Sequence, residues 1–469
     1  MTRHGDKTVR GDKQVALSPI NEGRFGRMFR RLPPLPDLEL AQLEALAEQV
    51  RETVPAPAGG WASAPEVQPE GDNPDIPAAY TYFGQFVDHD ITFDPASALE
   101  QEDDPDAIHN FRTPKYDLDS VYGSGPEDDP FQYENTAHPV RLLVGANQAG
   151  EPDLPRNSEG RAIIGDPRND ENIIVSQIQL LFIRLHNKFA DEVLADDTIP
   201  ADQKFREAQR RTRWHYQWVV VNDYLRRIVG GDLVDDLFDR DATSDLPEIR
   251  LKYYRPKKHV YMPIEFSAAA FRFGHSQVRG VYDLNDTVQG IPIFAPGDPG
   301  ELGDLRGNRP LPAQWSIAWD HFLDLGTGTS LQPSRLIDTH LSEGLFSLPG
   351  GGNTLALRNL ITGQRLELPS GQDVAKLLKV PEAQLLTEAE LEGVPVPTPL
   401  WFYILKEAEL KAEGKHLGAA GGRIVAEVLL GMLELDKASW LSADPDWTPS
   451  IPVAGDTLQL SDIVRFVQS

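Results

Sequence analysis

Apolar residues recur at helical spacing along most of the chain and at strand spacing almost nowhere. The 3.6-residue period is clearest near residues 80–92, 172–194, 203–229, 264–277, 312–324, 371–379, 398–412 and 419–435, which are therefore expected as helices. Asp37 is placed to cap a further helix whose face carries Leu40, Leu43, Ala47 and Val50. Residues 54–79 and 96–167 are dense in Pro, Gly, Ala and Asp and have little period, so irregular structure is expected there. Residues 1–36 are basic and then Pro-rich, which reads as an N-terminal arm packed on a body of residues 37–469. The length of 469 residues would allow about three domains. No linker or repeat divides the chain, so the pattern predicts one large, mainly α domain with long irregular loops and few short strands.

One stretch breaks the apolar pattern with chemistry. In Tyr82-Phe83-Gly84-Gln85-Phe86-Val87-Asp88-His89-Asp90-Ile91-Thr92-Phe93, an amide, two carboxylates and an imidazole fall within six residues. On a helix Gln85, Asp88 and His89 share one face, and Asp90 points elsewhere. A single histidine in such a place is commonly a satisfied core residue; its companions argue for a pocket. A second polar run, Gly165-Asp166-Pro167-Arg168-Asn169-Asp170-Glu171-Asn172, leads into the long amphipathic stretch that follows, so Arg168 sits just ahead of a helix start. Taken alone it is a capped helix start with carboxylates at the positive dipole end. A third run, Phe271-Arg272-Phe273-Gly274-His275-Ser276-Gln277, follows the small residues Ser267–Ala270, which read as a buried helix that lets a flat partner approach. In the loop Thr113–Gly123, Thr113, Lys115, Asp117 and Asp119 alternate, which directs one set of oxygens the same way.

The first run closely resembles the distal haem helix of the animal-type haem peroxidases, the peroxidase and cyclooxygenase superfamily. The resemblance implies that fold, with haem as cofactor, and it assigns roles. His89 would be the distal acid-base catalyst, Gln85 a contact to halide or water, and Arg168 the distal arginine. Asp88 and Glu171 would be esterified to the ring, so the cofactor is expected as haem b or an ester-linked derivative. His275 resembles the axial ligand and Asn359, in Leu355-Ala356-Leu357-Arg358-Asn359-Leu360, its hydrogen-bond partner. Two arginines that usually follow this asparagine are replaced by Thr362 and Gln364. The alternating loop resembles the family's calcium loop, with Asp90, Thr113, Lys115, Asp117 and Asp119 as oxygen donors; the lysine would serve through its carbonyl. Asn172 stands where the strongest chloride-oxidising member has a methionine bonded to a haem vinyl, a link that an amide cannot form.

The implied activity is reduction of hydrogen peroxide with oxidation of halides, thiocyanate or small aromatic donors. A fatty-acid dioxygenase on the same fold is the nearest alternative. Cyclooxygenases, however, place their radical tyrosine three residues before the proximal histidine, where this chain has Arg272. A metal-dependent phosphohydrolase using His89 and Asp90 would leave Arg168, His275 and Asn359 without a role. A calcium-stabilised binding protein without haem would have no use for the whole catalytic set.

Charge and composition trim the options further. The net charge of −27 has no basic stripe to set against it, which disfavours nucleic acid and acidic membrane surfaces. No apolar run approaches the length of a membrane span, and Met1–Gln14 lacks the apolar core of a secretory signal. The expectation is a cytoplasmic protein, or one exported by a non-classical route. Family members from animals are secreted and disulfide-bonded; cysteine is absent here, so the chain resembles an undecorated bacterial member. His186 has no second ligand four residues away and reads as structural, as do Trp214, Trp218, Trp315 and Trp319. Arg423 and Glu427 are spaced to pair on one helix face.

Overall fold

Helices form at most of the places where the apolar spacing predicts them and at several where it is weak. The computed structural model describes residues 24–52, 69–92, 114–239, 248–256, 260–295, 300, 302–349 and 352–469. In chain order the helices are α1 (Leu40–Gln49), α2 (Ala79–Ile91), α3 (Asp119–Tyr122), α4 (Ile173–Ala195), α5 (Lys204–Val219), α6 (Leu225–Val229), α7 (Gly231–Leu237), α8 (Ile264–Ser267), α9 (Leu355–Arg365), α10 (Gly371–Leu378), α11 (Leu400–Lys411), α12 (Ala419–Leu435), α13 (Trp440–Ala443) and α14 (Leu460–Gln468). Strands are short and occur only as two-stranded pairs among the described residues. Arg24–Gly26 lies parallel to Tyr261–Pro263, and Asp72–Pro77 lies antiparallel to Pro333–Arg335. None of the described helices is long and apolar enough to cross a membrane.

The core is built around α2, α4 and α5. Phe83 and Phe86 of α2 meet Phe182 of α4 and Tyr216 of α5; the Phe86 and Phe182 rings stack at 4.9 Å, and Tyr216 stands edge-on to Phe182 at 5.4 Å. Each such buried ring contributes about 1.5–3 kcal/mol, so the helix that carries the candidate chemistry is held firmly by the aromatic core. From α5 the chain continues through a π-helical turn, Val220–Tyr224, into α6. That turn presses Tyr224 onto α2 at Gly84, where any side chain would run into the tyrosine hydroxyl. On the other side α12 is apolar nearly all round and buried from Ala420 to Leu433 apart from Arg423. Its Glu427 pairs with Arg423 at 2.7 Å, as the spacing predicts, and also accepts from the backbone amides of Lys252, Tyr253 and Tyr254.

The described part of the expected N-terminal arm is fastened at both ends. Buried Glu265 accepts from Met28 N and Phe29 N, both at 2.9 Å. Leu35 N donates to Leu368 O, and Gln364 bonds both backbone groups of Leu38. Gln364, one of the residues that replace the family's arginines, thus ties the arm to the end of α9. Residues 1–23 lie outside the described residues.

Several expectations need correction. The expected helix over 264–277 is broken: α8 ends at Ser267, and Ala270–His275 form a 3₁₀ turn after Ala269, whose backbone (φ −136°, ψ −71°) leaves the helical region. The small residues therefore form the break rather than a helix face. No α-helix forms over 312–324. Trp315, Ile317 and Trp319 are buried in alternation, the period of extended chain, and Gln314 adopts φ 69°. Conversely α9 and α14 exceed expectation; α9 starts from a Thr354 cap despite Asn359, Thr362 and Gly363 in its body. Asp72–Pro77, expected as loop, pairs as a strand. Helix α1 starts from a Glu39–Gln42 capping box, not from Asp37, and Leu40 is exposed while Leu43, Leu46, Ala47 and Val50 are buried. The tryptophans pack as expected: Trp214 and Trp218 cluster with Trp440 and Trp447.

His186 and His215 are buried in α4 and α5 and bonded as neutral rings. His186 donates to Val140 O at 2.7 Å and faces the Tyr122 hydroxyl at 3.0 Å; His215 donates to Arg211 O and accepts from Ser450 N. Burial is the main cause that lowers both from 6.5 to about 4. Between those values the unfolded chain binds more protons than the folded one, so stability rises with pH over that range. Chemical denaturation across the range should show stability falling steadily as pH drops from 6.5 to 4, and replacing both histidines with Gln should flatten the slope.

Candidate active site

Along α2 the residues are buried except for Gln85 and Asp88, which remain accessible on the face they share with His89. The helix therefore has a dry aromatic side and a side open to a cleft. His89 itself is buried, and its Nδ1 lies 2.7 Å from Asn169 Oδ1. Burial, and next the Arg168 charge, lowers its imidazole to about 4, so the ring is neutral near physiological pH. Thr92 Oγ1 donates to Asp88 Oδ1 at 2.9 Å, which steadies the carboxylate at the end of the helix.

The Arg168 loop docks on this end. Asp166 caps the 3₁₀ turn Pro167–Asp170 by accepting from Arg168 N at 2.9 Å, and its carboxylate holds the Arg168 guanidinium at 2.9 Å. Arg168 Nη2 also donates to His89 O and Thr92 O. The cation thus sits at the carbonyl end of α2, where backbone acceptors lack helical partners and the dipole is negative. Asn172 is the N-cap of α4, with Oδ1 accepting from Ile174 N at 2.8 Å. The loop is pinned from outside by Leu305–Asn308: Ile173 N donates to Leu305 O, Gly307 N to Glu171 O and Asn308 N to Asp170 O. At Gly307 a side chain would strike the Asp170 carbonyl, so this close backbone approach requires glycine.

On the opposite wall the 3₁₀ turn presents His275, whose Nδ1 is 2.9 Å from the Asn359 amide of α9. Burial, then the neighbouring Arg272 charge, lowers His275 to about 3. Arg272 Nη1 lies 3.1 Å from Asn359 Oδ1, which turns the amide nitrogen toward the ring. Ligation through Nε2 needs Nδ1 as a donor, hence this amide reversed. Arg272 then keeps its bond to Ser267 O through Nε, at 3.0 Å.

Beneath α2, on the face away from Gln85, Asp90 meets Asp117 and Asp119, with carboxylate oxygens of the three within 4.8 Å of one another. Both Asp90 oxygens are buried and have no hydrogen-bond partner among the described residues. Burial raises its carboxyl well above the usual range, and the charges of Asp117 and Asp119 add to the rise. Three acids in this arrangement fit a hard cation. Lys115 lies on the same loop, and Thr113 lies outside the described residues. The pairing expected for a phosphohydrolase is not made: His89 turns to Asn169 while Asp90 turns to the acidic loop.

Several groups around the cleft are enclosed by protein atoms yet accessible, which suits a wall meant for a large flat ligand. Glu171 is exposed although burial raises its carboxyl. Arg272, Gly274 and His275 are partly accessible on an otherwise buried turn, and a Cβ on Gly274 would meet nothing within 4 Å. The two walls face each other. Burial lowers the Arg272 guanidinium, and the charge opposing this is Asp88 from the distal side. An imidazole on each wall, a cation and two carboxylates at the rim form a donor set that fits haem.

Comparison with known proteins decides the family. Residues 98–346, more than half of the chain, match the animal haem peroxidase family model. The chain belongs to that family. It is 27% identical to rat (Rattus norvegicus) thyroid peroxidase over 54% of this chain, and 24% identical to chorion peroxidase of Drosophila melanogaster over 66%. It spans 29% and 39% of those proteins' lengths. Among solved structures, Peroxidase A from Dictyostelium discoideum superposes with TM-score 0.61 at 16% identity, covering 96% of this chain and 93% of that one. The fatty acid alpha-dioxygenase of Arabidopsis thaliana gives TM-score 0.56 at 16% identity, covering 87% and 72%. These structural likenesses establish the mainly α peroxidase fold.

Within the family frame, Arg168 and His275 fall inside the matched stretch, while His89 and Asn359 flank it. The structure brings Asp88, His89 and Arg168 to one end of α2, pairs His275 with Asn359, and separates the acidic cluster from both. Asn169 has no role in the sequence motifs. Its only signal was position: an amide directly after the arginine, in a loop that must close over a buried imidazole.

Proposed function

We propose that this chain is a haem peroxidase that reduces hydrogen peroxide and oxidises halides, thiocyanate or small aromatic donors. The observation that carries the reading is the neutral, buried His89 with Arg168 beside it, set across a cleft from a second, partly accessible histidine held by an asparagine. His275 would bind the iron through Nε2, and Asp88 and Glu171 would hold the ring edge as esters. When bound, haem supplies the metal that cleaves the peroxide bond and stores the oxidising equivalents. His89 Nε2 takes the proton from the entering peroxide and returns it to the departing oxygen. General acid-base work of this kind is worth about two to four orders of magnitude. Arg168, locked by Asp166 and two carbonyls, supplies fixed positive charge where negative charge develops, and a donor so preorganised contributes about 3 kcal/mol. Gln85 lines the same face and would contact the anion or its water. The dioxygenase alternative still lacks its tyrosine at Arg272.

Calcium is the cation proposed for Asp90, Asp117 and Asp119, with the Lys115 carbonyl and Thr113 completing the set. It would relieve the unpartnered Asp90 carboxylate and lock the loop to α2.

Stopped-flow mixing with peroxide tests the catalytic reading. His89→Ala should retain haem and lose about two to four orders of magnitude in peroxide reaction rate, whereas His275→Ala should lose or mis-ligate the haem; wild-type speed in His89→Ala would overturn it. Exhaustive chelation should lower the melting temperature, since a ligand bound only by the folded state stabilises it by mass action. An unmoved transition, with no calcium found by elemental analysis, would count against the cation site. Because Asn172 caps a helix and cannot form a sulfonium link, iodide, thiocyanate and bromide should be oxidised well and chloride poorly; equal hypohalous acid yields from chloride and bromide would contradict this.

A further inference from the structure

A buried relay runs from His89 to the backbone of α3. His89 Nδ1 lies 2.7 Å from Asn169 Oδ1, Asn169 Nδ2 donates to Gln179 Oε1 at 2.7 Å, and Gln179 Nε2 donates to Ser120 O at 3.2 Å. Asn169, Gln179 and Ser120 are fully buried. We propose that Asn169 and Gln179 are positioning residues that set the tautomer of His89, with the Ser120 carbonyl as anchor. The inference rests on the reading of His89 as the acid-base catalyst.

The direction of the relay follows from its end. A backbone carbonyl only accepts, so the Gln179 NH₂ must face Ser120 and its oxygen must face Asn169. Asn169 then donates through Nδ2 and presents Oδ1 to the imidazole. An oxygen there requires the proton on Nδ1, which leaves the Nε2 lone pair free. Reversing either amide would set acceptor against acceptor among fully buried groups. A side-chain amide pair alone would leave the orientation ambiguous; the carbonyl removes the ambiguity. Ser120 follows Asp119 directly, and at Gly165 any side chain would strike the Asp119 and Ser120 carbonyls. The Arg168 loop therefore rests on α3, and α3 carries both the anchor and one acid of the cation cluster. His89 thereby presents a ready base without having to rearrange.

Neutron diffraction from deuterium-exchanged crystals of the haem-loaded protein should place the deuteron on His89 Nδ1; a deuteron on Nε2 overturns the proposal. In the same protein Gln179→Leu, close to isosteric but unable to direct Asn169, should slow the peroxide reaction about fivefold, the factor one buried neutral hydrogen bond commonly carries. Gln179→Glu, protonated in this dry site, keeps a donor toward Ser120 and an acceptor toward Asn169, so it should react at close to the wild-type rate. A Gln179→Leu rate equal to wild type, or a Gln179→Glu loss as large as that of Leu, counts against the relay. Should Gln179→Leu not fold, the deuteron position decides alone. His89→Ala reacting at full speed would instead refute the catalytic reading, and the neutron map would still test the tautomer.

Discussion

Everything in this site depends on one helix being both part of the core and the carrier of the site's polar groups. Helix α2 is gripped by stacked aromatic rings on one side and opens to a cleft on the other, so His89 and Asp90 are buried away from water while Gln85 and Asp88 stay accessible. In such surroundings each polar atom needs a specific partner. Asn169 meets that need for His89 and Asp166 for Arg168, while Asp90 meets two further acids, the arrangement of a cation site.

Those partners come from distant parts of the chain, and each is held by something further out. Asn169 answers to Gln179, and Arg168 to Asp166. The loop that carries both is clamped between α3, through Gly165, and the strand-like Leu305–Asn308, through Gly307. The two glycines act alike: each lets backbone meet backbone at a distance no side chain permits. A rigid loop next to a buried imidazole is a general way to keep reacting groups preorganised. Here neutral amides rather than a carboxylate stand behind His89, an arrangement that does not favour the imidazole as a cation.

The proximal wall is built on a different principle. The segment before His275 is a broken helix and a tight turn, and its support comes from α9 through Asn359 and from the N-terminal arm through Glu265. Gln364 shows how the chain has adapted locally. Where the family commonly has an arginine, this residue fastens Leu38 instead, so the end of α9 is held by the arm.

The local motifs were readable because they are local. Gln85, Asp88 and His89 share a face by helical geometry alone, Arg168 stands ahead of α4 because a Gly, Asp, Pro and Asn turn runs into an amphipathic stretch, and the alternation of Lys115, Asp117 and Asp119 is plain in the spacing. Charge, the lack of cysteine and the scarcity of strand patterns likewise needed no coordinates. What the linear order could not decide was which way each polar group turns. Asp90 finds Asp117 and Asp119, and His89 finds Asn169, only because α4 and α5 press α2 into place. The break at Ala269 and the extended run through Trp315 and Trp319 were also invisible, since burial on two sides overrides local propensity. Short-range periodicity determined the elements and the candidate residues of this protein. Long-range packing chose their partners, because the cost of a buried unpaired polar group is set by neighbours far away in the chain.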